Sequence, residues 1–277
     1  MILLATVSLA VGLVVGVLAG LLGIGGGMLL VPVFKLAYAM DSLVCTATSL
    51  FTIIPTSVSG ALSHIRNKTC IPRLGIAAGL GGAVTSPVGV ALAAQSPDWA
   101  VMGAAALVIG YSAITMFRKA LAAPKPGRTE APASAGAAAL ANGESLRDGY
   151  PVGRRELVIG AAVGLAAGIA SGYVGVGGGF IMVPLMISLV HAPMKLVSGT
   201  SLIAVMILAV PAVIAQAVLG NINWVAGIAV ACGSIPGAAL GARLVPRVPE
   251  RRLRFLFAGF LVVAAALLVV NQLGLWG

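Results

Sequence analysis

One register runs through this chain twice. Gly23-Ile24-Gly25-Gly26-Gly27, leading into Met28 and then Val31-Pro32, returns as Gly175-Val176-Gly177-Gly178-Gly179, leading into Phe180 and then Val183-Pro184, at an offset of 152. At the same offset Gly12, Gly16 and Gly20 fall on Gly164, Gly168 and Gly172, and Thr48-Ser49-Leu50 falls on Thr200-Ser201-Leu202. Gly75, Gly81, Gly89 and Pro97 fall on Gly227, Gly233, Gly241 and Pro249. A gapless match from Gly12 to Pro97 means the chain must build one unit twice, each copy interrupted near its start by a glycine loop.

Composition decides the solvent in which that unit folds. Of 277 residues, 60% are hydrophobic and 9% charged, against about 25% charged in a soluble domain. The apolar runs approach the ~20 residues needed to cross a bilayer as helix, and helices satisfy their own backbone in lipid. The expected fold class is therefore an all-α integral membrane protein made of two inverted five-segment repeats with glycine-loop-broken helices. Long segments are expected near 2–22, 43–63, 74–95, 99–117, 157–174, 195–219, 223–244 and 252–272. Segments 28–40 and 180–192 are too short to span the ~30 Å core upright. Residues 120–155, with Pro124, Pro126 and Pro132, read as a flexible linker. That divides the chain into a first repeat over 1–119 and a second over 156–277. The chain enters an apolar run at Ile2 without a basic leader, so the first helix is expected to act as an uncleaved insertion signal.

A net charge of +10 and a pI near 10.3 would suit nucleic acid, but the basic residues sit in short loops and in the linker, which is the pattern that sets membrane topology. No nucleic-acid partner is expected; the lipid bilayer is. Five crossings per copy, an odd number, would turn the second copy upside down. With that count Arg66, Lys68 and Arg73, the linker, and the Arg243–Arg254 cluster share one side, the cytoplasmic side of a plasma (inner) membrane. Four crossings per copy would put the Arg243–Arg254 cluster outside. Inverted repeats with broken helices are the architecture of secondary transporters. A homodimer is left open.

The candidate binding residues follow from the breaks. A helix start carries unpaired amides and the positive end of the helix dipole, and glycine lets backbone approach a ligand closely. Gly25, Gly26, Gly27 and Met28, with Gly177, Gly178, Gly179 and Phe180, can thus hold an anion with no charged side chain. The competing reading is that the glycines only allow close helix packing. Thr48, Ser49, Thr200 and Ser201 either bond back to their own helix or donate to substrate oxygens. By counting, the two hydroxyl pairs lie on opposite sides of the midplane and meet only if segments 2 and 7 start deep. His64 and its repeat equivalent Gln216, with Arg66, suggest either an interfacial anchor or an anion vestibule with a titrating imidazole. Cys45 lies three residues before Thr48 and lines a pathway or simply fills space; Cys45, Cys70 and Cys232 lack metal-ligand spacing. Trp99 and Trp224 read as interfacial belt residues.

At these paired loops the sequence resembles the TauE/SafE family of sulfite and organosulfonate exporters. The matching features are the two Gly-x-Gly-Gly-Gly loops running into Val-Pro, the Thr-Ser-Leu after each, and the basic linker, over all of the chain but 120–155. The resemblance implies movement of small sulfur-containing anions. No Asp or Glu falls within an expected span and no P-loop occurs, so neither a carboxylate-based proton site nor a self-contained ATP motor is expected. No metal, cofactor or catalytic constellation is expected either. At ~100 mV inside-negative, each exported negative charge gains about 2.3 kcal/mol, so export needs no coupling ion. Three activities stand: export of such an anion, proton-coupled import through His64, or a membrane scaffold without transport.

Overall fold

The computed structural model describes residues 2–38, 40–122 and 153–272. The linker expected over 120–155 lies almost wholly outside the described residues. Among the described residues ten α-helices follow in order: α1 Ile2–Leu22, α2 Gly27–Tyr38, α3 Ser42–Arg66, α4 Pro72–Ala94, α5 Asp98–Ala122, α6 Arg154–Val174, α7 Gly179–Leu185, α8 Met194–Val218, α9 Trp224–Leu244 and α10 Glu250–Gln272. A π-helical turn, Met186–Val190, extends α7, and a 3-10 turn, Val245–Arg247, follows α9. Helices α3, α4, α6, α8 and α9 are each long and apolar enough to cross a membrane. At 1.5 Å per residue the 12 residues of α2 rise only about 18 Å, short of the hydrocarbon core.

Local chemistry explains several ends. Proline opens α4 at Pro72, where no amide is needed. Helix α9 is capped by Asn223, whose side chain accepts from the Ala226 amide at 3.1 Å. The glycine loops stop their helices by backbone conformation. Gly175 takes φ +73 as the left-handed cap of α6, and Gly23, Gly25, Gly26 and Gly177 are also at positive φ, a region that costs any residue with a Cβ. Pro32 and Pro184 lie inside α2 and α7 rather than at the break itself.

Packing places each copy's first helix against the other copy's fourth. Helix α1 lies along α9: a Cβ on Gly12, Gly16 or Gly20 would overlap the backbone carbonyl of Val230, Ser234 or Ala238. Helix α6 lies along α4 in the same way, with Gly164, Gly168 and Gly172 against the carbonyls of Ala78, Gly82 and Ser86. The four-residue spacing puts the small residues on one face, so the backbones touch. In each pair numbering rises together, so the partners run parallel. The hydroxyls of Thr52, Ser59 and Ser63 reach the carbonyls of Gly227, Ile235 and Ala239, so α3 is parallel to α9 as well. Gly75 and Gly79 meet Ile203 and Ile207, which makes α4 parallel to α8. Between α3 and α8 the order reverses: Gly60 meets Leu202, and His64 meets Gly199. Helices α1, α3 and α9 therefore run one way, and α4, α6 and α8 the other. At the periphery α5 pairs with α10, with the Phe117 and Phe255 rings edge to face at 6.3 Å.

Candidate functional site

Both glycine loops lie at the centre of this bundle, in contact with each other. Residues 23–28 and 174–180 are all buried. A Cβ on Gly27 would stand 2.7 Å from the Val176 carbonyl oxygen, and one on Gly179 would stand 2.6 Å from that of Gly23. The loops therefore need glycine where they meet, which is the packing reading of the motif. The amides supply the other reading. Among the described residues, no hydrogen-bond acceptor meets the amides of Ile24 to Met28 or those of Val176 to Phe180. The first amides paired after each loop are Leu29, to Gly26, and Ile181, to Gly178, both at 3.2 Å. Buried amides without partners are rare and costly. Here ten of them cluster at two adjoining helix starts. Met28 and Phe180 contribute these amides, and their side chains are core.

The conserved register of the two copies extends to the hydroxyl pairs, which the structure brings to the loops. Ser49 Oγ donates to the Gly175 carbonyl, and its equivalent Ser201 Oγ donates to the Gly23 carbonyl at 2.7 Å. Thr48 Oγ1 accepts from the Asn223 amide at 3.0 Å, and its equivalent Thr200 Oγ1 accepts from the Ile71 amide at 2.9 Å. Each bond runs from one copy to the other and recurs with the roles exchanged. The serines thus tie the left-handed glycine at the end of one copy's first helix, and the threonines satisfy the residue preceding the other copy's fourth helix. The loops before α2 and α7 meet α3 at Thr46, Ser49 and Ile53 and α8 at Ser198, Ser201 and Val205, which brings both hydroxyl pairs to the same region. Counting along the sequence could not show this, because depth is set by how far each loop dips.

Ile53 and Val205, themselves repeat equivalents, lie against the loops. A Cβ at Gly25 would lie 3.1 Å from Ile53 Cγ2 and 3.0 Å from Val205 Cγ1; one at Gly177 would lie 2.8 Å from Ile53 Cδ1. Each of these two side chains touches both loops. Neither stood out in the sequence, where each is one apolar residue in an apolar run; a β-branched residue four or five positions after the Thr-Ser pair in both copies was the available signal.

The remaining candidates are placed elsewhere. His64 is fully buried; its Nε2 donates to the Gly20 carbonyl at 2.9 Å and its Nδ1 accepts from Thr69 Oγ1 at 2.7 Å. A neutral imidazole satisfies both. Gln216 repeats the pattern, its Oε1 accepting from Asn221 Nδ2 at 2.8 Å, while its Nε2 meets no partner among the described residues. His64 ties the end of α3 to α1 through the Gly20 carbonyl, whereas Arg66 is exposed. Cys45 is buried, its Sγ 3.4 Å from the Met40 carbonyl oxygen. Trp99 and Trp224 are exposed, as belt residues would be. A separate crevice of about 250 Å³ between α5 and α7, lined by Val108, Tyr111, Ile181 and Leu185, contains none of the expected site residues.

Membrane-length helices in two interlocked repeats, each broken at a buried loop, define a multi-pass membrane transporter. The family model described as "Sulfite exporter TauE/SafE" matches residues 8–268, and the chain belongs to that family. It is similar to the probable membrane transporter protein YunE of Bacillus subtilis (strain 168), 26% identical over 247 residues that cover 86% of this chain and 87% of the relative. It is also similar to YjnA of the same organism, again a probable membrane transporter protein, 25% identical over 266 residues, 93% of this chain and 97% of the relative. A probable membrane transporter protein of Xylella fastidiosa (strain Temecula1 / ATCC 700964) is 32% identical over 110 residues, 39% of this chain. No solved structure matches.

Proposed function

We propose that the chain exports small sulfur-containing oxyanions, sulfite or an organosulfonate, across the plasma membrane by alternating access between two inverted halves. The observation that carries this is the buried run of unpaired amides at Ile24–Met28, facing a second such run at Val176–Phe180. Each helix start contributes about half a positive charge, and two starts together favour one negative charge without any lysine or arginine. Inversion is supported by the running directions: α1, α3 and α4 each run opposite to their repeat equivalents α6, α8 and α9. Alternating access is supported by the contact of Ile53 and Val205, one from each half, with both loops, which puts the proposed site at the seam between the halves. The sulfur chemistry rests on the family's description.

Direction follows from charge. An inside-negative potential drives an anion outward at about 2.3 kcal/mol per charge per 100 mV. The proton-coupled alternative would route the proton through His64, which is buried with its ring bonded to the Gly20 carbonyl and to Thr69. The test is efflux from proteoliposomes loaded with sulfite, with potentials of each sign imposed. Efflux that follows the potential alone is expected. Flux that appears only with a pH gradient would make the protein an importer, and no flux under any gradient would leave it a scaffold.

A further inference from the structure

Resting on the anion reading above, we propose that Ser57 is a side-chain ligand of the anion held at the first glycine loop. Ser57 is fully buried, and its Oγ meets no partner among the described residues. A helical serine has an easy local partner, the carbonyl four residues back. Thr52 and Thr56 of the same helix take that partner, at 2.9 Å and 2.7 Å; Ser57 does not. Its hydroxyl turns instead toward the loop, 3.2 Å from where a Cβ on Gly25 would stand. Ile53 and Val205 close on the same point from the other sides, and the amides of Gly25 to Met28, unpaired among the described residues, begin there.

The architecture itself does not ask for this hydroxyl. The equivalent residue in the second copy is Ala209, also fully buried, so the fold builds that position with a methyl group just as well. A buried hydroxyl without a partner carries a desolvation cost that alanine avoids. Retaining it at the loop fits a ligand that supplies the missing acceptor. An oxyanion does so, with one oxygen on the amides and another accepting from Ser57 Oγ. The two halves of the site then differ, one lined by a hydroxyl and one by a methyl, so a bound oxyanion has a polar and an apolar side.

The experiment compares the full-length protein with Ser57→Ala, using sulfite, thiosulfate and sulfoacetate as probes in proteoliposomes and thermal unfolding without substrate. The expected result is an unfolding temperature equal to or above that of the unsubstituted protein, with a half-saturation raised roughly tenfold, as loss of a hydrogen bond to a charged acceptor would give. An unchanged half-saturation overturns the assignment while leaving the transport reading intact. A half-saturation that rises only together with a lowered unfolding temperature also overturns it, because the hydroxyl would then be structural. If the unsubstituted protein moves none of the three probes at either polarity, the transport reading fails and this proposal with it.

Discussion

Gly25 and Gly177 are the loop glycines that combine a left-handed backbone with crowding by side chains of both copies. Both hold positive φ, +75 and +70, and both lie against Ile53 and Val205. Alanine at either position meets a backbone strain of about 1–2 kcal/mol as well as the crowding. Gly25→Ala and Gly177→Ala should therefore abolish sulfite efflux from proteoliposomes, whereas Gly103→Ala, with nothing within 4 Å of the added carbon, should leave flux unchanged. The threonines act differently. Removing the Thr200 hydroxyl orphans the Ile71 amide, and removing that of Thr48 orphans the Asn223 amide. Thr48→Val and Thr200→Val should each cost about 1–3 kcal/mol, visible as lowered thermal unfolding in detergent. Weakened half-saturation at unchanged stability would instead return the hydroxyls to the substrate. At His64, Gln216 shows what the fold accepts in the equivalent place. His64→Gln should keep both flux and its pH profile between about pH 6 and pH 8; loss of a pH dependence would make the imidazole a proton carrier.

At the scale of elements, the glycine seams of α1 on α9 and α6 on α4 hold the two copies together. A Cβ on Gly16 would lie 2.8 Å from Ser234 Cα, and one on Gly168 would lie 2.7 Å from Gly82 Cα. Neither neighbour is a flexible side chain that can turn away. Gly16→Ala and Gly168→Ala should each destabilise by roughly 1–3 kcal/mol, read as a fall of several degrees in unfolding temperature. The helices themselves were legible in the sequence, because long apolar runs bounded by Gly, Pro and charge leave little choice in lipid. The expected segments 28–40 and 180–192 stand as Gly27–Tyr38 and Gly179–Val190. What the apolar pattern could not say was which helix faces which. Gly12, Gly16 and Gly20 announced a close-packed seam without naming α9 as the partner.

For the whole molecule, the bonds between copies are reciprocal: Ser49 to Gly175 and Ser201 to Gly23 are the same bond made twice. Inversion has a direct test. Lys68 and Gly220 are repeat equivalents at the ends of α3 and α8, both at positive φ, 54 and 73, and the inverted arrangement puts them on opposite faces of the membrane. In a background lacking the exposed Cys232, Lys68→Cys and Gly220→Cys should react with a membrane-impermeant thiol reagent from opposite sides. Labelling of both from one side would exclude inversion.

The sequence by itself determined that the chain is a helical membrane protein built twice, where its helices begin and end, and that two glycine loops interrupt it. Those properties depend on local composition and on one register, and both can be read along the line of the chain. Only the tertiary structure decided that the loops touch, that Thr48 and Thr200 serve the backbone of the opposite copy, that His64 is locked inside, and that Ser57 is left without a partner. The loop and threonine contacts join residues more than a hundred positions apart, the His64 ring reaches Gly20 on another helix, and the Ser57 hydroxyl makes no bond among the described residues; none of these leaves a mark in the order of residues.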